Sequence, residues 1–215
     1  MSPSPTSAVL TAVNDIPEHY FTAYQGGWKN EISTSLIDAV FSMRSTYRAK
    51  DPTKGVLGRV KTFRDTFPHI KDDLSALAEL GSTPLNDIMG SSRTAGRLKS
   101  DAVLDAARLF LEAGVPSAAT FSAANPQEMK RIYTGVRGLG PVTFEYFAML
   151  LGSPGVKADR MIVRFVNNSL KAVNINPVTA ETARMIVIEA HEECQKGETL
   201  THFDHAIWRF QSDRA

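Results

Sequence analysis

One cysteine, Cys194, is all the thiol chemistry this 215-residue chain offers. A lone thiol excludes an intramolecular disulfide, an iron–sulfur cluster and any structural zinc site built on several thiolates. Cys194 also falls on an apolar helical stripe. That marks it as a buried structural thiol, because a reactive thiolate needs an electropositive, accessible setting. No run reaches the roughly 18 apolar residues that span a bilayer, so no membrane partner is expected. The Ser/Pro-rich stretch Met1 to Ser7 lacks the basic and apolar regions of a signal peptide. The expected location is cytoplasmic, at the nucleoid in a bacterium. Sustained two-residue alternation bounded by turn residues is missing too, so no strand is predicted. Neither low-complexity tracts nor internal repeats are evident.

Net charge is also scarce. With 24 Lys and Arg against 23 Asp and Glu the formal charge is +1, so distribution matters more than the sum. Arg44, Arg48, Lys50, Lys54, Arg59, Lys61 and Arg64 follow one another with Asp51 as the one internal counterweight. Arg93, Arg97 and Lys99 form a second group, Lys130, Arg131 and Arg137 a third, and Lys157, Arg160 and Arg164 a fourth. Glu181 to Glu193 is acidic. A basic face opposite an acidic one suits a polyanion. Taken singly, each cluster is also what a solvated helix face looks like.

What is present is helical periodicity. Leu36, Ile37, Val40, Phe41 and Met43 recur at three-to-four spacing, as do Ile162, Phe165, Val166 and Val173, and then Ala183, Ile186, Val187, Ala190 and Cys194. The pattern predicts an all-α chain with helices over 6–24, 31–48, 53–66, 72–80, 84–89, 94–113, 126–136, 141–151, 159–173, 179–195 and 199–211. Starts are signalled at Thr83-Pro84, Asn125-Pro126 and Thr179. Stops are signalled at Gly81, Gly90, Gly114, Gly152 and Gly197. The composition, 43% hydrophobic and 22% charged, suffices for one domain or two small lobes.

The most informative stretch is Val136-Arg137-Gly138-Leu139-Gly140-Pro141, where two helical patterns meet. Gly138 and Gly140 permit positive φ and close approach of another backbone. Leu139 can plug the two helices together, and Pro141 fits the first turn of the second. The N–H groups of Gly140, Val142 and Thr143 are then expected to face outward at a positive helix end, a site suited to a phosphodiester. One helix later comes Lys157-Ala158-Asp159-Arg160. Asp159 opens a helix, where aspartate is a favoured cap.

Together these segments resemble the helix-hairpin-helix DNA glycosylases of the endonuclease III type, the HhH-GPD superfamily. The hairpin 136–144, the Gly152-Ser153-Pro154-Gly155 loop and the 157–164 aspartate segment match its signature. Leu36 to Thr46 and Ile88 to Phe110 look like its earlier helices. The resemblance spans roughly residues 30 to 170 and is strongest over 126–166.

It implies two helical lobes, 29–153 carrying the hairpin and 1–28 with 154–215 carrying Asp159, and a DNA cleft between them. It implies Asp159 as the catalytic carboxylate. Gly138, Leu139, Gly140, Val142, Thr143, Arg137 and Arg44 would contact DNA, with Arg44 at the family's gap-filling position. Tyr47, Trp28 and Tyr24 are candidates to line a base pocket, although packed aromatics would look the same. The family's monovalent cation site maps to the carbonyls of Thr134, Val136 and Leu139. His202 and His205 flank Asp204, but no further ligand is placed by sequence.

Two departures narrow the chemistry. The Schiff-base lysine of bifunctional members is replaced by Val142, which has no nucleophilic atom. The four-cysteine cluster motif is absent, so no cofactor is expected. The resemblance therefore implies a monofunctional glycosylase in base-excision repair, acting as a monomer on double-stranded DNA with one base flipped out. The alternative is a non-catalytic DNA-binding protein that keeps the hairpin.

Overall fold

The computed structural model describes residues 3–22 and 26–214. Tyr24 lies outside the described residues. Among the described residues the regular secondary structure is helical except for one antiparallel ribbon of two-residue strands, β1 (Arg93–Thr94) with β2 (Arg97–Leu98). It forms two compact units, one of Gly27–Ser153 and one joining the segment up to Gly26 to the segment from Pro154 on.

The 27–153 unit contains α2 (Ile32–Phe41), α3 (Gly55–Thr66), α4 (Leu74–Leu80), α5 (Ser82–Met89), α6 (Lys99–Glu112), α7 (Ala118–Ala123), α8 (Pro126–Gly135) and α9 (Pro141–Leu150). Every residue of α2 is buried. Phe110, Phe121, Tyr133, Phe144 and Phe147 form a linked aromatic core, with Tyr133 stacked on Phe147 at 5.7 Å. The other unit contains α1 (Pro5–Asn14), α10 (Arg160–Ala172), α11 (Ala180–Cys194) and α12 (Leu200–Ser212). Its core includes Val9, Val13, Ile162, Val166, Val187, Phe203 and Ile207.

Several boundaries depart from the sequence expectation for local reasons. The helix expected over 6–24 ends at Asn14, because Pro17 cannot continue it, and a 3-10 turn follows over Glu18–Phe21. The helix expected over 31–48 stops at Phe41, and Arg44 adopts φ +52° in the turn beyond. The start of the helix expected over 94–113 is the β1–β2 ribbon instead, too short to produce alternation. Helix α7, built on a capping box between Ser117 and Thr120, is six residues long and was not anticipated. Helix α11 ends on Gln195 in the left-handed conformation, two residues before Gly197.

Lys99 is the clearest correction to the basic-cluster reading. Its side chain is not on the surface, being 3% exposed. Its ammonium donates to Phe41 O (3.0 Å), Met43 O (2.6 Å) and Ser45 Oγ (3.0 Å). One buried cation thus fastens the end of α2 and both sides of the strained Arg44 turn. Burial pushes its pKa down from the ordinary 10.5 to about 8. The folded chain therefore holds this proton less tightly than the unfolded chain does. Between about pH 8 and 10.5 the unfolded state carries more protons, so the Lys99 contribution makes unfolding free energy rise with pH. Lys99→Met should flatten that rise. Denaturant unfolding at a series of pH values across the window checks it, and parallel curves for wild type and variant would contradict it.

Candidate active site and nucleic-acid interface

The hairpin lies wholly within the 27–153 unit. Asn125 starts α8 by accepting hydrogen bonds from Gln127 N (2.9 Å) and Glu128 N (3.3 Å). Val136 leaves the helix in extended conformation, and Leu139 N donates back to Val136 O at 3.0 Å. Leu139 is buried in the core that holds Tyr133 and Phe144.

The two glycines have different reasons to be there. Gly138 has φ +94°, and a Cβ on it would lie 2.9 Å from Thr94 Cγ2. Thr94 Oγ1 donates to Gly138 O at 3.0 Å. The close approach at Gly138 is thus made by side chains of the β1–β2 ribbon and its turn rather than by another backbone. Gly140 corrects the expectation: its φ is −138°, extended backbone open to any residue, and a Cβ there would meet nothing within 4 Å.

Nor does the Gly140 N–H face outward. It donates to Thr143 Oγ1 (3.1 Å), while that hydroxyl donates to Gly140 O (2.8 Å). What remains at the start of α9 is the pair of amides of Val142 and Thr143, which a helix cannot satisfy internally. Arg137, in the turn between α8 and α9, is exposed, and its Nη2 would lie 3.9 Å from a Cβ on Gly96 of the β1–β2 turn. Lys130 is engaged with Glu145 at 3.1 Å. Of the three carbonyls mapped to a cation site, that of Val136 already accepts from Leu139. Thr134 turns its hydroxyl back to Lys130 O at 2.7 Å.

In the other unit, a segment without regular secondary structure leads to α10. Asp159 Oδ1 caps that helix, accepting from Met161 N (2.8 Å) and Ile162 N (3.3 Å). Its second oxygen, Oδ2, accepts from the indole Nε1 of Trp208 at 3.2 Å. One face of α12 serves the whole segment in register. Thr201 Oγ1 accepts from Gly155 N (3.2 Å), Asp204 Oδ1 accepts from Lys157 N (3.1 Å), and Trp208 reaches Asp159. Residues 201, 204 and 208 share a helix face, and a tight turn in which Asp159 N donates to Lys157 O at 2.6 Å brings Asp159 to the same face as residues 155 and 157. The half-buried Asp159 carboxylate is therefore fixed from two directions.

Asp204 is 5% exposed. Burial, and then the nearby Asp159 charge, push its carboxyl well above the usual carboxylate range. His205 stacks on Trp208 with ring planes 8° apart. His202 Nδ1 pairs with Thr199 Oγ1 at 2.7 Å, a helix-local role. Among the described residues no group of three His, Cys, Asp or Glu is placed to hold a metal.

Trp28 and Tyr47 are brought together by Asp38, a residue that sequence reasoning missed. The Asp38 carboxylate is fully buried. Trp28 Nε1 (2.6 Å) and Tyr47 OH (2.9 Å) donate to its Oδ2, and Tyr146 OH approaches Oδ1 at 3.4 Å. The result is a half-buried aromatic cluster whose polar ends converge on one acid. The Arg64 guanidinium covers Trp28 at 4.6 Å while binding Glu31 through two bonds. Arg44 and Tyr47 do not sit one helical turn apart, as a helix over 31–48 would have placed them, because both follow the end of α2. An aspartate inside the apolar run Leu36 to Phe41 was the available signal, since a buried charge demands partners. Asp204, inside the apolar face of α12, was a signal of the same kind.

A family model covers residues 8–212. The chain belongs to the family DUF8548, a domain of unknown function. No curated protein matches it. Among solved structures, this DUF8548 chain resembles the Schizosaccharomyces pombe 3-methyladenine DNA glycosylase Mag1 in complex with abasic DNA. The TM-score is 0.57 at 16% identity, covering 98% of this chain and 92% of the other. It also resembles a thermostable thymine-DNA glycosylase, with a TM-score of 0.55 at 13% identity, covering 96% and 84%. At these identities the likeness is one of fold: the DUF8548 chain has the all-α architecture of DNA glycosylases.

Proposed function

We propose that this DUF8548 protein is a monofunctional DNA glycosylase that hydrolyses the N-glycosidic bond of a damaged or modified base in double-stranded DNA. The observation that carries the reading is the immobilised Asp159 carboxylate, which caps α10 and accepts a hydrogen bond from Trp208. The fold shared with a 3-methyladenine DNA glycosylase and a thymine-DNA glycosylase supports it.

In this reading the amides of Val142 and Thr143 hold a backbone phosphate, and the target base is turned out of the stack. The C1′–N bond then breaks and its electron pair leaves with the base. Positive charge grows on the sugar, and a fixed carboxylate stabilises it without reorganisation. Water supplies the oxygen that bonds to C1′, and its proton passes to Asp159 or the departing base. Val142 offers no amine for a Schiff base, so the product is an intact strand with an abasic site.

The test is incubation with duplexes carrying alkylated, deaminated, oxidised or mismatched bases, followed by alkali. Strand cleavage that appears after alkali alone is the expected result for at least one of them. No alkali-labile site in any duplex would refute the reading.

DNA binding has its own test. Gly140→Asp leaves the fold intact, since a Cβ there is unobstructed and aspartate is a good cap. Its carboxylate would occupy the Val142 and Thr143 amides and repel phosphate. Duplex affinity should fall by roughly tenfold or more with an unchanged melting temperature. Unchanged affinity would remove the hairpin from the DNA interface.

A further inference from the structure

A cavity of about 350 Å3 opens within the 27–153 unit, between the turn after α2, the start of α3 and the loop after α5. Neither the hairpin nor Asp159 contributes to it.

Its polar groups are fixed from behind. Arg59 Nη1 donates to Met89 O, the last carbonyl of α5, at 2.7 Å. The guanidinium lies directly over Gly90, where any Cβ would collide with Nη1. Gly90 has φ +83°, so glycine is favoured there on two counts. Across the cavity, Ser45 is held by the buried Lys99 ammonium at 3.0 Å. Thr46, Ser91 and Ser92 complete the polar lining. None of these three commits its hydroxyl to another described residue, and all are exposed.

The lining contains no carboxylate among the described residues. It offers a planar cation and several hydroxyls, with a second cation behind one wall. That donor set selects an anionic, acceptor-rich ligand, and arginine with serine and threonine is the usual set for phosphate. The volume falls within the range of small-ligand sites, roughly 300–1,000 Å3. It therefore has room for a phosphate together with its sugar. Exposed Arg44, Arg48, Lys50, Lys54 and Lys61 flank the cavity in sequence, and a run of cations favours a polyanion over a lone phosphate.

We propose that this cavity is a second DNA-backbone site, taking one phosphodiester with its attached sugar and gripping it through Arg59. The inference rests on the DNA-binding part of the proposed function and goes beyond it by assigning a contact separate from the hairpin.

The experiment is fluorescence anisotropy of the full chain with an undamaged duplex, between roughly 50 and 200 mM salt. Arg59→Gln should weaken binding about tenfold and lower the slope of log affinity against log salt by about one. Gly90→Ala keeps the charge but displaces the guanidinium, and should lose affinity similarly. The triple variant Thr46→Ala, Ser91→Ala, Ser92→Ala removes hydroxyls with no internal partner, so it tests the site even if Arg59→Gln fails to fold. A weakened triple variant supports the assignment. Wild-type affinity and slope in Arg59→Gln and the triple variant, with Gly140→Asp still impaired, would overturn this site alone. Failure of the wild type to bind duplex would overturn the DNA-binding reading with it.

Discussion

Asparagine at position 159 lowers the rate of base release by at least roughly 100-fold, the scale of losing a preorganised electrostatic partner of the transition state. The fold survives the change. Asparagine caps helices about as well as aspartate, so Oδ1 keeps its bonds to Met161 N and Ile162 N. The new amide nitrogen, however, faces Trp208 Nε1, a donor against a donor. That contact turns from favourable to unfavourable, at a cost of about 1 kcal/mol. DNA affinity, which depends on the hairpin amides, stays near wild type. Trp208→Phe separates position from charge: it removes the indole donor and leaves the Asp159 carboxylate in place. Its single-turnover rate should drop by roughly tenfold at unchanged DNA affinity. If Trp208→Phe releases base at the wild-type rate, the indole bond does not orient the carboxylate for reaction.

The second large effect is on stability. Asp38→Ala leaves the indole N–H of Trp28 and the hydroxyls of Tyr47 and Tyr146 without their common acceptor. Losing these bonds to a buried acid and opening a cavity in its place costs about 3 kcal/mol. For a unit of this size that corresponds to a fall in melting temperature of roughly 10 °C. Asp38→Asn keeps the volume and one acceptor oxygen, so its loss should be about half as large. Loosening Trp28 should also shift its emission to the red, readable in a Trp208→Phe background because Trp28 is then the one tryptophan left. A melting temperature within about 2 °C of wild type for Asp38→Ala would mean that the acid does not hold the cluster together.

What the sequence made legible was local. The hairpin could be read because its determinants, a plug leucine, a proline at the first helical position and a glycine at positive φ, lie within six residues. Asp159 could be read as a cap for the same reason. The long-range partners could not. Tyr146 reaches Asp38 across 108 positions and Trp208 reaches Asp159 across 49, and no periodicity encodes such distances. Lys99 looked like one more surface cation because charge patterning carries no depth. Gly140 looked like Gly138 because composition does not report φ. The β1–β2 ribbon has two residues per strand, fewer than alternation needs. In each case burial and pairing decided, and both are properties of the folded chain.

The account stands most directly on whether a free base leaves DNA. Heterogeneously alkylated, deaminated and oxidised duplex DNA, incubated with the wild-type chain and with Asp159→Asn, is filtered and the small molecules are identified by mass spectrometry. The wild type should release a discrete free base in equal number with new alkali-labile sites, and Asp159→Asn should release it at least roughly 100-fold more slowly. Tight, salt-dependent DNA binding with no released base from the wild type would contradict it, and would leave a DNA-binding protein that keeps the hairpin without the chemistry.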